Sequence, residues 1–195
     1  MHSENLKPIY SYIAQQIVDD YKITKGKCLD IGTGHGAMGI ELAKITDFEM
    51  YFIDINPDSI EEVKQNVKNT NLNNKSHYLK ADVCNLPLMD NFADFIVSRG
   101  SLWFWHDQIK GLQEINRVLK KGGVAFVGGG LGRYTPQDLR EKLQGKGRKK
   151  LIERGETGFL SGDELQALLD KTGIDNCRLI SDVENKPATW IEIRK

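Results

Sequence analysis

A doubly wound α/β sheet with helices on both faces is the architecture that this 195-residue chain predicts, and three observations carry it. Between residues 27 and 128, short apolar runs alternate with segments whose apolar residues recur every three or four positions. That is the pattern of parallel strands joined by right-handed helical crossovers. A glycine run, "LDIGTGHGAMG", stands between the first such strand and the first such helix. The last two strand patterns, "CRLIS" and "TWIEIR", are separated only by "DVENKPA", too short for a crossover, so they read as an antiparallel hairpin at one edge of the sheet.

The elements follow in order. Ile9, Ile13 and Ile17, with Ala14 and Val18 beside them, form a helical stripe that ends before Gly26. "KCLDIG" reads as a short buried strand and "GAMGIELAKI" as a helix apolar on most of its surface. After the strand "EMYFID", Asn56 is placed to cap a helix with Pro57 at its first position, where a missing N–H costs nothing; Ile60, Val63 and Val67 face inward. "SHYLKAD" and "ADFIVS" are the third and fourth strands. A helix is expected from His106 to Leu119, stopping before Gly122 and Gly123, and "GVAFVGG" is strand five. Thr135 and Pro136 open a further helix. Ser161 with Glu164 makes a capping box for the next, whose Leu165, Leu168 and Leu169 point inward before Gly173.

The length fits one domain, residues 1–195, able to bury about 70% of the surface of its unfolded chain without a disulfide or metal staple. A composition 39% hydrophobic and 28% charged excludes disordered and fibrous architectures. Formal net charge is zero, unlike the basic excess of proteins built to hold duplex nucleic acid. Cys28, Cys84 and Cys177 are odd in number and lack a CxxC pair, so they give neither a disulfide framework nor a zinc site. With no leader-like N-terminus and no membrane-length apolar run, a cytoplasmic protein, monomer or homodimer, is expected.

In such a sheet a ligand lies at the carboxyl ends of the strands, where strand order reverses. Gly32, Gly34 and Gly36 let the backbone turn there and approach a bound molecule. Asp54 ends the second strand, 18 residues after Gly36, where a carboxylate accepts hydrogen bonds from both ribose hydroxyls. "GTGHGA" also fits the dinucleotide fingerprint, so a nicotinamide cofactor and an oxidoreductase are the competing reading. Asp30, two residues before the first glycine, argues against it: placed toward the same cavity, its carboxylate repels a pyrophosphate and attracts an ammonium group.

"CLDIGTGHG", "YFIDINPDS", "LKADVCNLP" and "INRVLKKGGVAFV" resemble successive motifs of the class I S-adenosylmethionine-dependent methyltransferases, over residues 27 to 128 and most like the small-molecule, quinone-biosynthesis branch. The resemblance implies a Rossmann-like seven-stranded sheet of order 3-2-1-4-5-7-6 with strand 7 antiparallel, and S-adenosylmethionine as cofactor, leaving S-adenosylhomocysteine. It implies that Asp30, Gly32, Thr33, Gly34, His35 and Gly36 hold the methionine end, Asp54 the ribose, and Ile55 a face of the adenine. Asp82 would bond the adenine amino group with Val83 packing nearby, Asp82 as a turn or cap residue being the other reading; Ser98 would offer backbone to the methionine moiety. It also divides the chain into an N-terminal helix over the site (1–25), a cofactor core (26–128), a substrate lid (129–160), and a helix with the final strand pair (161–195).

Methyl transfer from a sulfonium is an in-line displacement, so the enzyme's task is to align the acceptor and exclude water. Where a proton must leave the acceptor, His106, next to Asp107, is the base by position; capping of the following helix is the other reading. The four histidines are scattered, and no metal site is expected. "SRGS" replaces the Asn-Pro-Pro-aromatic tetrad of adenine and glutamine N-methylating relatives, which leaves a small-molecule oxygen, sulfur, nitrogen, carbon or metalloid acceptor. Tyr10, Trp103, Phe104, Arg133 and Tyr134 are the expected pocket residues, with Trp105 packing inward. Residues 140–154 hold seven basic and two acidic side chains, either a site for an anionic small molecule, for RNA or for a protein that is the methyl acceptor, or a solvated face. Gly128 to Gly130 and Gly132 supply freedom for a moving lid.

Overall fold

A computed structural model describes residues 7–143 and 160–195. Helix α1 (Lys7–Tyr21) leads into β1 (Lys25–Ile31), α2 (Ala37–Lys44), β2 (Asp47–Asp54), α3 (Pro57–Asn69) and β3 (Ser76–Lys80). A 3-10 turn (Val83–Asn85) precedes β4 (Ala93–Arg99), and a second one (Leu102–Phe104) precedes α4 (Gln108–Val118) and β5 (Leu119–Gly128). Helices α5 (Gln137–Leu143) and α6 (Asp163–Asp170) precede the closing strands β6 (Cys177–Ile180) and β7 (Trp190–Arg194).

The seven strands form one sheet of order β3-β2-β1-β4-β5-β7-β6. Strands β1 to β5 pair in parallel, and β7 runs antiparallel to both β5 and β6. This is the order that the motif resemblance implies.

Side chains alternate across the sheet, so each strand feeds two cores. Cys28, Phe52, Val97 and Phe126 lie in the layer with Ile9, Ile13 and Ile17 of α1, Leu42 of α2 and Val63 of α3. Their neighbours Leu29, Ile53, Ile96 and Val127 lie in the opposite layer with Leu112 and Ile115 of α4 and Leu165 of α6. The helical stripe of α1 is fully enclosed, with Ile9 and Ile13 at 0% exposure.

Local signals explain most boundaries. The Asn56 side chain accepts the Asp58 N–H at 2.9 Å, with Pro57 opening α3. Helix α4 begins two residues later than expected because Asp107, not His106, caps it, accepting the Lys110 N–H at 2.9 Å. Strand β5 starts at Leu119, earlier than the glycine pair implies: Leu119 pairs with Ala93 ahead of a bulge, and Lys120 reaches Asp94 at 2.8 Å. The capping box of α6 forms by half, since Glu164 accepts the Ser161 N–H at 3.3 Å while Gly162 occupies the cap.

Gly128, which ends β5, and Gly130 and Gly132 beyond it are closely packed. A Cβ on Gly128 would lie 2.2 Å from the Thr189 carbonyl oxygen, one on Gly130 would lie 2.2 Å from the Trp190 ring nitrogen, and one on Gly132 would lie 2.6 Å from Ile13. Among the described residues no helix is long and apolar enough to cross a membrane.

Candidate functional site

Parallel pairing places the ends of β1, β2, β3 and β4 on one side of the sheet, and β1 has β2 on one flank and β4 on the other, which is where the winding reverses. The glycine loop lies there. Thr33 N–H bonds to the Ile53 carbonyl at 3.0 Å, and Gly34 N–H to the Asp54 carboxylate at 2.9 Å, so the loop is anchored to the end of β2. The three glycines have different reasons. A Cβ on Gly32 would strike the Ser101 Cβ at 2.2 Å and one on Gly36 would strike Val63 at 2.4 Å, whereas one on Gly34, at φ +53°, meets nothing within 4 Å. Of the three, Gly34 alone has open space where a side chain would stand.

Asp30 corrects the expectation that its carboxylate points into the cavity. It is 2% exposed and turned beneath the loop, where one oxygen accepts the Thr33 hydroxyl at 2.7 Å and the Gly39 N–H at 3.0 Å. Gly39 belongs to the first turn of α2, so Asp30 satisfies one of that helix's orphan donors from the strand side. Burial pushes the Asp30 carboxyl up to about 6, against the lowering effect of those two hydrogen bonds and with help from the Asp54 charge. The Gly39 N–H in the first turn of α2, one of the donors a dinucleotide pyrophosphate would use, is thus already taken by Asp30. Thr33 is likewise 7% exposed, its hydroxyl committed to Asp30.

Asp54 accepts N–H groups from Gly34 and from Asn56, each at 2.9 Å, and Ile55 beside it is 61% exposed, an apolar face open at the strand end. Asp82 caps the turn after β3, accepting the Cys84 N–H at 2.9 Å, and its second oxygen meets His106 Nε2 at 2.9 Å. The backbone bond from Cys84, followed by the His106 contact, holds the Asp82 carboxyl below the usual range despite partial burial. His106 is therefore tied to the β3 end, the side expected for adenine. Val83 is buried in the layer beneath α4.

Asp82, Cys84 and His106 bring ligand-type atoms within 4.8 Å of one another, a grouping the scattered sequence positions do not reveal. Burial raises the Cys84 thiol, whose proton is donated to the Asp107 carbonyl at 3.2 Å.

At β4, Ser98 is fully buried, with its hydroxyl 2.6 Å from that of Ser101. The strand-end residues that reach the surface are Arg99, Gly100 and Ser101. Ser101 links the site: it donates to the Ile31 carbonyl at 3.2 Å, accepts the Trp105 indole N–H at 3.1 Å and sits against Gly32. Trp105 also covers Gly111 of α4, so it packs inward. Trp103 is half-buried on the same layer, and Phe104 is 54% exposed. Tyr10 of α1 is buried, edge-on to His35 of the glycine loop at 6.5 Å between ring centroids, and its hydroxyl meets Arg99. Sequence reasoning passed over Arg99 and Ser101; the signal available was a cation immediately after the apolar run "FIVS".

A methyltransferase-domain family model matches residues 29–127, just over half of the chain. The chain belongs to the class I S-adenosylmethionine-dependent methyltransferases. A structure assigned as an S-adenosyl-L-methionine-dependent methyltransferase of Methanococcus maripaludis is 35% identical, with a TM-score of 0.82 over 99% of this chain and 88% of the other. A rice 2-methyl-6-phytyl-1,4-hydroquinone methyltransferase is 34% identical over 52% of this chain and 30% of its own length. The 27-O-demethylrifamycin SV methyltransferase of Amycolatopsis mediterranei is 26% identical over 76% of this chain and 54% of its own. The chain thus spans from under a third to about half of these two curated relatives.

Within this methyltransferase the expected lid contacts are displaced. After β5 the chain runs back along α1: the Arg133 N–H bonds to Gln16 at 2.7 Å, and its guanidinium forms a two-point ion pair with Asp20 while lying over the Tyr134 ring. Asp20 is ten residues from Tyr10, about 15 Å farther down the helix, so the Arg133 guanidinium is held at the far end of α1 from Tyr10. Of the basic segment 140–154, the stretch 144–154 lies outside the described residues.

Proposed function

We propose that this methyltransferase transfers a methyl group from S-adenosylmethionine to a small-molecule acceptor. The observation that carries the cofactor reading is the Asp54 carboxylate, held at the end of β2 by Gly34 and Asn56 N–H groups, with the open face of Gly34 on one side and exposed Ile55 on the other. A carboxylate so fixed suits a ribose diol, and an exposed isoleucine suits an adenine face. Asp82 marks the far end of the nucleoside, and the Tyr10 and His35 rings mark the methionine end. When bound, the cofactor supplies an electrophilic methyl on a sulfonium.

The chain's own residues orient and enclose. Asp54 and the glycine loop fix the nucleoside; Tyr10 and α1 cover the site; Phe104 is the exposed ring next to the strand-four turn and is read as an acceptor contact. Transfer needs alignment and exclusion of water more than a covalent nucleophile. The activities for which the hydroquinone and rifamycin relatives are named support a small-molecule acceptor. The whole chain is read as a single domain in which residues 1–25 cover the site.

Calorimetry with S-adenosylhomocysteine tests this. Binding that Asp54→Ala weakens by tenfold or more is the expected result; a wild-type protein that binds none ends the proposal.

A further inference from the structure

Arg99 ends β4 at the mouth of the site with a charge that no carboxylate answers among the described residues. Its Nη1 donates to the Tyr10 hydroxyl at 3.2 Å and its Nη2 to the Gly130 carbonyl at 3.3 Å, both long bonds to neutral oxygens. Nε is buried and makes no hydrogen bond. The guanidinium carbon lies 5.0 Å from the centre of the Tyr10 ring. Arg117, Arg133, Arg178 and Arg194 differ, each being paired with Asp or Glu.

A half-buried guanidinium among neutral partners is unfavourable unless an anion completes it, and its planar fork matches a carboxylate with two parallel bonds. Its position narrows the anion further. Tyr10 contacts Arg99 with its hydroxyl and ring face and His35 of the glycine loop with its ring edge, so Arg99 stands one aromatic ring from the expected methionine end. Gly130 is fixed against Trp190, so the third wall of this corner is rigid.

We propose that Arg99, with the Tyr10 hydroxyl beside it, is a carboxylate-binding position of this site. The proposal rests on the cofactor reading above, and the carboxylate has two sources: the amino-acid end of the cofactor, or an acid group on the methyl acceptor. The role is one of binding and specificity, with no proton moved.

The test is binding of S-adenosylhomocysteine and of its decarboxylated analogue, S-adenosyl-3-thiopropylamine, to wild type, Arg99→Gln and Tyr10→Phe. If the cofactor supplies the carboxylate, wild type prefers S-adenosylhomocysteine by at least tenfold. Arg99→Gln then reduces that preference below threefold, and Tyr10→Phe, which keeps the ring and the fold, reduces it partway. If the acceptor supplies it, the two ligands bind alike to all three proteins. Millimolar benzoate, added at saturating S-adenosylhomocysteine, then raises the melting temperature of wild type but not of Arg99→Gln. An unchanged preference together with an unchanged benzoate response in both variants overturns the proposal. A wild type that binds no S-adenosylhomocysteine ends the cofactor reading instead, and the response to benzoate added by itself then decides whether Arg99 holds a carboxylate.

Discussion

Asp30 and Gly39 are joined across the glycine loop, the carboxylate at the end of β1 accepting the N–H of the first turn of α2 at 3.0 Å. One side chain thus fixes the angle between the strand and the helix that frame the site. The loop between them inherits its shape from this bond, the Thr33 hydroxyl and the anchor at Asp54.

Ionising Asp30 is unfavourable in the fold, and this makes stability depend on pH. Its folded pKa of about 6 lies above the ordinary 3.8, so the folded protein holds a proton that the unfolded chain releases. The associated stability is present in full below pH 3.8 and is lost as pH rises through about 6, a change on the order of 3 kcal/mol. Asp30→Asn keeps an oxygen for Gly39 and removes the charge. Thermal melts from pH 4 to 8 should show a wild-type decline that the variant lacks; parallel curves would refute the assignment.

Gly32 and Gly34 should respond differently to the same substitution. Gly32→Ala forces a Cβ against Ser101 at φ +65° and is expected to cost about 3 kcal/mol of stability from overpacking and left-handed strain. Gly34→Ala meets open space and is expected to cost only about 1 kcal/mol, while weakening S-adenosylhomocysteine because the methyl enters the space facing the loop. Denaturant melts alongside calorimetry separate the two.

The neighbouring rings divide in the same way. Trp105→Ala removes the cover from Gly111 and the indole bond to Ser101, and should destabilise by about 3 kcal/mol. Phe104 is 54% exposed, so Phe104→Ala should leave unfolding within about 0.5 kcal/mol of wild type and show its effect only in acceptor turnover.

Glu192 offers a contrast to Asp30. It is 2% exposed and accepts bonds from Tyr21 at 2.9 Å, Arg178 at 2.8 Å and Arg194 at 2.8 Å. Burial works to raise its carboxyl, yet Arg194, Arg178 and Tyr21 outweigh burial and hold it below the usual range. A lowered carboxylate contributes stability above its ordinary pKa and loses it as pH falls through the folded value. Glu192→Gln should therefore cost about 2 to 4 kcal/mol at pH 7, and the gap from wild type should shrink in acid.

The sheet was readable because its signals are local and mutually consistent: β-branched and aromatic runs, the Asn56–Pro57 cap, and a final connection too short to cross over. The errors arose where a residue's role depends on what the fold brings beside it. "LKKGG" reads as a helix end, but the pairing of Leu119 with Ala93 turns it into strand. His106 looks like a cap until Asp107 takes that place, and nothing in its spacing shows that Asp82, 24 residues earlier, lies 2.9 Å from its ring. Arg133 looks like a substrate contact until the chain turns back along α1 and sets it against Asp20. Asp30 is recognisable as an important acid, but nothing in its spacing says that the loop closes over it.

The glycines after β5 also dictate where anything above the sheet can pivot. With Gly128 and Gly130 each leaving no room for a methyl group between strand and Trp190, and Gly132 seated on Ile13, this strap is bolted to both the last strand and the first helix. Alanine at any of these three positions should act as a wedge that loosens the hull.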